Sequence, residues 1–153
     1  MMYKSGAKQY QQVNVTSEVL DADPHRLIQL LMEAALTRMA QSKGAIERKD
    51  MEEKAKLLGR VGEIIQTLQS SLDHQGGGDI ASNLDRLYDY MIRRLLEATR
   101  HNNVDMIDEV MGLMLEVKTG WDGIREEYLR GAHGRQTPVD SSDSGRLGST
   151  ISA

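Results

Sequence analysis

Residues 79–96 read DIASNLDRLYDYMIRRLL, and the fold class follows from where the apolar side chains fall. Leu84, Leu87, Tyr88, Met91 and Leu95 recur at intervals of three and four, the period of an α-helix with one buried face. At 100° per residue this stripe covers about 100° of the helix circumference. Ile92 and Leu96 widen it on one side and Tyr90 on the other. The segment is therefore helical, and more apolar than one buried face requires.

Working outward, Gly76-Gly77-Gly78 ends the preceding helix, Asp79 caps this one, and His101-Asn102-Asn103 closes it. A first helix opens at Asp23-Pro24, an Asp cap followed by Pro where its missing N–H costs nothing. It carries Ile28, Leu31, Ala35, Met39 and Ile46 to about residue 48. A second opens at Asp50, with Glu53 as a capping-box partner, and carries Leu57, Leu58, Val61, Ile64, Ile65, Leu68 and Leu72. A fourth starts at Asn103 or Asp105, carries Ile107, Val110, Met114, Val117, Trp121, Ile124 and Tyr128, and ends at Gly131. No segment alternates as a strand does. These four helices predict an all-α, antiparallel four-helix bundle over residues 23–131. Residues 1–22 form a short N-terminal segment that could cover a groove. Residues 132–153 are Ser/Gly/Thr-rich and predict a disordered tail.

The chain has 153 residues, 39% of them apolar, and a formal net charge of -4. That balance gives no general attraction to phosphate backbones, so nucleic acid is excluded as a partner. With no cysteine there is no disulfide, thiolate metal site or cysteine nucleophile. No apolar run approaches membrane-spanning length, which predicts no membrane insertion and a soluble, cytoplasmic protein.

A four-helix bundle invites a search for carboxylate–histidine metal motifs. No Glu-x-x-His pair and no HExxH is present. The four histidines are read as surface or helix-end residues. The triple glycine lacks the following Lys and the preceding strand of a phosphate loop. A histidine phosphotransfer bundle would use His25 or His101, but neither is followed by Lys-Gly. No nucleophile–base pair is visible, so the chain is read as a non-enzyme without cofactor or metal.

The apolar surplus is the informative signal. In the fourth helix Met111 and Leu115 flank the stripe, and in the first Leu27, Leu30, Leu31, Met32 and Leu36 nearly encircle the axis. The second helix is narrow, with Gly59 and Gly62 outward. Two readings stand. Either the bundle is tightly packed and the N-terminal segment covers the surplus, or an apolar groove receives a partner helix. Nine methionines favour a surface that repacks around a partner. The groove candidates are Ile92, Leu96, Met111 and Leu115, with Tyr90 beside them.

The run Ile80-Ala81-Ser82-Asn83-Leu84-Asp85-Arg86-Leu87-Tyr88-Asp89-Tyr90-Met91 resembles the signature of flagellin export chaperones of the FliS type. Tyr10, the Pro24-His25-Arg26-Leu27-Ile28 start and the late Trp121 support the resemblance, which covers roughly residues 7–130. One departure is Leu31-Met32-Glu33-Ala34, where the family often has Leu-Tyr-x-Gly. The resemblance implies a chaperone that binds the C-terminal segment of monomeric flagellin, which folds on it. Binding would prevent premature polymerisation and aid delivery to the flagellar type III export gate. It further implies partner and gate contacts for Tyr10, a place in the signature helix for Tyr88, Tyr90 and Met91, and local hydrogen bonding for Asn83. A helical adaptor unrelated to secretion is the alternative.

Overall fold

Asp23 sets the first helix. Its carboxylate accepts from the Arg26 backbone N–H at 2.7 Å, with Pro24 in the first turn. In this computed structural model, which describes residues 19–136, α1 spans Pro24–Glu47, α2 Met51–Ser70, α3 His74–His101, α4 Val104–Gly123 and α5 Arg125–Gln136. A single helical turn at residues 19–21 precedes α1, and no strand occurs among the described residues.

The α1–α2 connection is tight because two motifs share it. Lys49 turns into the left-handed region at φ 60, and its N–H and that of Asp50 return to Ile46 and Ala45 at 3.0 and 2.8 Å. Asp50 then accepts from the Glu53 N–H at 3.1 Å and starts α2. The α3–α4 connection repeats the device. Asn102 sits at φ 52, the Asn103 N–H returns to Ala98 at 3.1 Å, and the Asn103 side chain caps α4.

The entrance to α3 differs from the expected glycine stop and Asp79 cap. Asp73 is the cap, accepting from the Gln75 and Gly76 N–H groups at 3.1 and 2.9 Å. Those two bonds hold a helical turn through the first glycines, and only Gly78, at φ 51 and ψ -126, breaks it. Gly78 thus separates a short helical turn at residues 74–77 from the long helix that follows: the break falls within the glycine run, as expected, but one helical turn precedes it.

The expected single fourth helix is also two. α4 stops at Gly123, and α5 runs on to Gln136, past the boundary at residue 132 predicted for the tail. In an unbroken helix the Trp121 carbonyl would take the Arg125 N–H. Here it takes the His25 side chain at 2.7 Å and the Ile124 N–H at 3.3 Å. Residues 137–153 and 1–18 lie outside the described residues, and with them the rest of the tail and most of the N-terminal segment.

Packing closes a ring. α1 lies against α2 and α4, and α3 lies against the same two, so the four long helices form the expected antiparallel bundle. α5 packs on the end of α4 and reaches the start of α1 through Arg125 and Tyr128. Of the expected stripe of α2, Leu58, Val61, Ile65 and Leu68 are buried, Leu57 and Ile64 are half-buried beside them, and Leu72 is buried just past the helix end. In α4, Ile107, Val110, Met114 and Trp121 are buried, whereas Ile124 is exposed where the helix ends.

In α1 the buried line is rotated from the expected one. Met32, Ala35, Met39, Ser42 and Ala45 face inward, and Ile28, Leu31 and Ile46 pack half-buried beside them. Alanine and serine at three of these positions let the neighbouring helices approach closely. In α3 Tyr88, Met91 and Leu95 are buried, Leu84 and Leu87 are half-buried, and Ile80, just past the kink, is 65% exposed. Burial pushes the Tyr88 phenol up to about 12.

One cation joins the core from below. Lys54 is buried, and its Nζ donates to the Thr99 carbonyl at 2.9 Å and to Asn102 Oδ1 at 2.6 Å. A positive charge thus meets the negative end of α3 and ties it to the start of α2.

Candidate functional site: an apolar groove between two helices

Between α2 and α3 lies an open groove of about 350 Å³. Its floor is the outer edge of Leu58 and Leu95, one wall is Ile92 and Leu96, and the other is the bare backbone at Gly59 and Gly62. Leu96 is 60% exposed. A Cβ built on either glycine meets no atom within 4 Å, so the bundle itself has no need of glycine there. Glycine in a helix costs about 1 kcal/mol relative to alanine, so the pair carries a cost that internal packing does not explain.

Polar contacts bridge α2 and α3 on either side of this opening. Gln69 Nε2 donates to Asp85 Oδ1 and Asp89 Oδ1 at 3.0 and 2.7 Å. Lys54 joins the same two helices toward the end of α3. Between these two bridges the groove lies open along the outer side of the α2–α3 seam.

The structure distributes the sequence-derived candidates over three places. Ile92 and Leu96 share the α2–α3 groove. Tyr90 lies on the other side of α3, half-buried at the seam with α4, where its hydroxyl donates to Glu109 at 2.6 Å. Arg94 Nε donates to the same carboxylate at 2.7 Å, and these two bonds, Tyr90 first, hold Glu109 below the usual carboxylate range.

Met111 and Leu115 belong to a third place. They fall in line with Asp108, Lys118 and Asp122, which face α1 through Lys43 at 2.5 Å, Glu33 at 3.7 Å and Gln29 at 2.6 Å. Leu115 is 55% exposed and Met111 is half-buried. In the ring of four helices the α1–α4 seam lies opposite the α2–α3 groove. The four apolar candidates therefore form two patches on opposite sides, not one groove. Tyr10 lies outside the described residues. Asn83 Oδ1 accepts from Arg86, a local bond as expected.

His25 is the residue that sequence reasoning underrated. It is at a helix end, as read, but fully buried, with its ring stacked on Trp121 at 4.5 Å and 7°. The signal was available in the antiparallel topology, which brings the last turn of α4 to the first turn of α1. Burial removes His25 as a phosphoryl acceptor. His101 is exposed, but its Nε2 lies 3.3 Å from Glu97, a carboxylate that would repel an incoming phosphoryl group.

Among the described residues no helix is long and apolar enough to cross a membrane, and no group of three or more His, Asp or Glu could hold a metal ion.

Residues 6–128 match the family model described as Flagellar protein FliS. A Flagellar secretion chaperone FliSB of Pseudomonas aeruginosa is 56% identical over 117 residues, 76% of this chain and 93% of the relative. A Flagellar secretion chaperone FliS of Salmonella typhimurium is 41% identical over 125 residues, 81% of this chain and 93% of the relative. The protein of that name from Vibrio cholerae is 40% identical over 119 residues, 78% and 88% of the two chains. The signature run in α3, the four-helix ring and these matches agree, and the chain belongs to the FliS family of flagellar proteins.

Proposed function

We propose that this chain is a cytoplasmic export chaperone that binds the C-terminal segment of monomeric flagellin, prevents its premature polymerisation and aids its delivery to the flagellar type III export apparatus. Family membership supplies the partner class. The observation that carries the binding mode is the α2–α3 groove, where Leu96 stands exposed opposite two glycines that the bundle does not use. An amphipathic helix laid there would cover Ile92 and Leu96 and approach the α2 backbone closely.

The second patch, Leu115 with Met111, takes a further stretch of the same partner. Because the two patches lie on opposite sides of the ring, one segment that reaches both passes around the bundle. A chain that is unfolded when free and folds on the surface suits this geometry better than a preformed domain. Tyr10 is assigned to contacts with the export gate. No chemistry is asked of the surface: recognition is apolar burial, which requires neither nucleotide nor metal.

The test is a calorimetric titration of the full chain with the C-terminal segment of flagellin from the same cell. Binding with a negative heat-capacity change and a gain in helical circular dichroism beyond the sum of the parts is expected. No heat and no complex at tens of micromolar would remove the flagellin assignment and leave the helical-adaptor reading.

A further inference from the structure

The start of α1, the last turn of α4 and the first residue of α5 meet in one small cluster. His25 is its centre, fully buried. Its Nε2 lies 2.7 Å from the Trp121 carbonyl, which can only accept, so Nε2 carries the proton. In the neutral ring Nδ1 is then a bare acceptor. Arg125 Nη1 stands 3.2 Å from it and donates. The guanidinium is held there from behind by Asp23, which accepts from Nη1 at 3.2 Å and from Nη2 at 2.9 Å. Trp121 completes the cluster by donating its indole N–H to the His25 carbonyl at 2.9 Å. Tyr128 of α5 lies tilted against the imidazole at 5.3 Å.

This arrangement tolerates one protonation state. A second proton on the ring would sit on Nδ1 and point an N–H at the N–H of a guanidinium that Asp23 keeps in place. The geometry points to His25 as an acid-sensitive latch: neutral, it fastens the α4–α5 junction to the start of α1, and protonated, it expels Arg125 and releases α5. Release would also open the cavity of about 200 Å³ bounded by Leu27, Ile28, Trp121 and Tyr128, exposing apolar surface at that end of the bundle.

The charged groups facing the ring come from all three elements. Asp23 of α1 and Asp122 of α4, with the Trp121 carbonyl, favour the imidazolium; burial and Arg125 of α5 oppose it. Burial is the largest of these effects, and the balance lies below the ordinary value of 6.5. The latch is independent of what the α2–α3 groove binds.

Trp121 is the only tryptophan in the chain, so its emission reports the stacked imidazole directly. The experiment follows the full-length protein from pH 8 to 4.5 by its emission and by the imidazole NMR signals of His25. The expected result is a single His25 midpoint below 6.5, tracked by Trp121 emission, while helical circular dichroism persists. Arg125→Gln removes the facing cation and should raise that midpoint by about half a pH unit or more. His25→Gln, which keeps a donor near the Trp121 carbonyl but cannot charge, should abolish the emission change. A His25 midpoint at or above 6.5, an emission change that ignores His25, or a midpoint unmoved in Arg125→Gln would each overturn the latch. If His25→Gln does not fold, the native titration and Arg125→Gln decide alone.

Discussion

Replacing both groove glycines with alanine separates what the bundle needs from what a partner needs. In Gly59→Ala/Gly62→Ala each new Cβ enters open space, with no atom within 4 Å. Nothing in the fold is displaced, and each substitution recovers about 0.5–1 kcal/mol of helix propensity and unfolded-state entropy. The pair should stabilise the protein by about 1–2 kcal/mol, roughly 3–6 °C in Tm for a chain of this size. Binding should move the other way. A helix seated against bare backbone would be pushed outward by two methyl groups, and overpacking of that kind costs about 1–3 kcal/mol. That is a loss of roughly 5-fold or more in affinity for the flagellin segment. Urea denaturation gives the first quantity and calorimetric titration the second. A gain in stability with unchanged affinity would refute close approach at this wall, and a loss of stability would show that the helix surface there is not open.

The other expectations rest on single contacts. Leu96 is 60% exposed, so Leu96→Glu should cost the fold less than about 1 kcal/mol, whereas Leu68→Ala, at a fully buried position, should cost about 2–5 kcal/mol. In the same pair only Leu96→Glu should weaken partner binding, by more than about 10-fold, because a charge would be desolvated in the groove; comparable unfolding of the two variants in urea would place Leu96 in the core. Lys54→Met keeps the stem but leaves Thr99 and Asn102 without their donor, and the chemical-denaturation midpoint should fall by the equivalent of about 1–3 kcal/mol. Arg125 holds the Asp23 carboxyl below its ordinary 3.8, so the unfolded chain takes up that proton first as pH falls. The stability from this pair is complete above the ordinary carboxylate range and is lost as pH drops through and below 3.8, so wild type and Asp23→Asn should converge in acid urea melts.

How far the letters carried can be judged at individual elements. The entrance to α1 was legible because Asp23-Pro24 acts through bonds within one turn. The entrance to α3 was not, because Asp73 and Asp79 both have capping chemistry, and only the path of the chain off α2 decides between them. The stripe of α2 was read correctly because it is narrow. That of α1 is offset because apolar side chains nearly surround the helix, and rotation is then set by where small residues such as Ala35 and Ala45 permit close packing. Ile92 and Leu96 stood out as surplus from spacing alone. Their separation from Met111 and Leu115 depends on the order of helices around the ring, which periodicity along one helix does not encode. His25 pairs with a residue 96 positions away, beyond any local pattern.

That distance has a kinetic consequence. Bringing His25 to Trp121 closes a loop of 96 residues, whereas the Gln69–Asp85 contact between α2 and α3 closes one of 16. The entropic difference is about 1.6 kcal/mol by the logarithmic scaling of loop closure. The sequential hairpins thus have a head start, and α4 meets α1 once both are in place to receive it. Because the clasp contains the sole indole of the chain, the burst of tryptophan signal in a refolding trace marks the moment the ring shuts, not the collapse that precedes it.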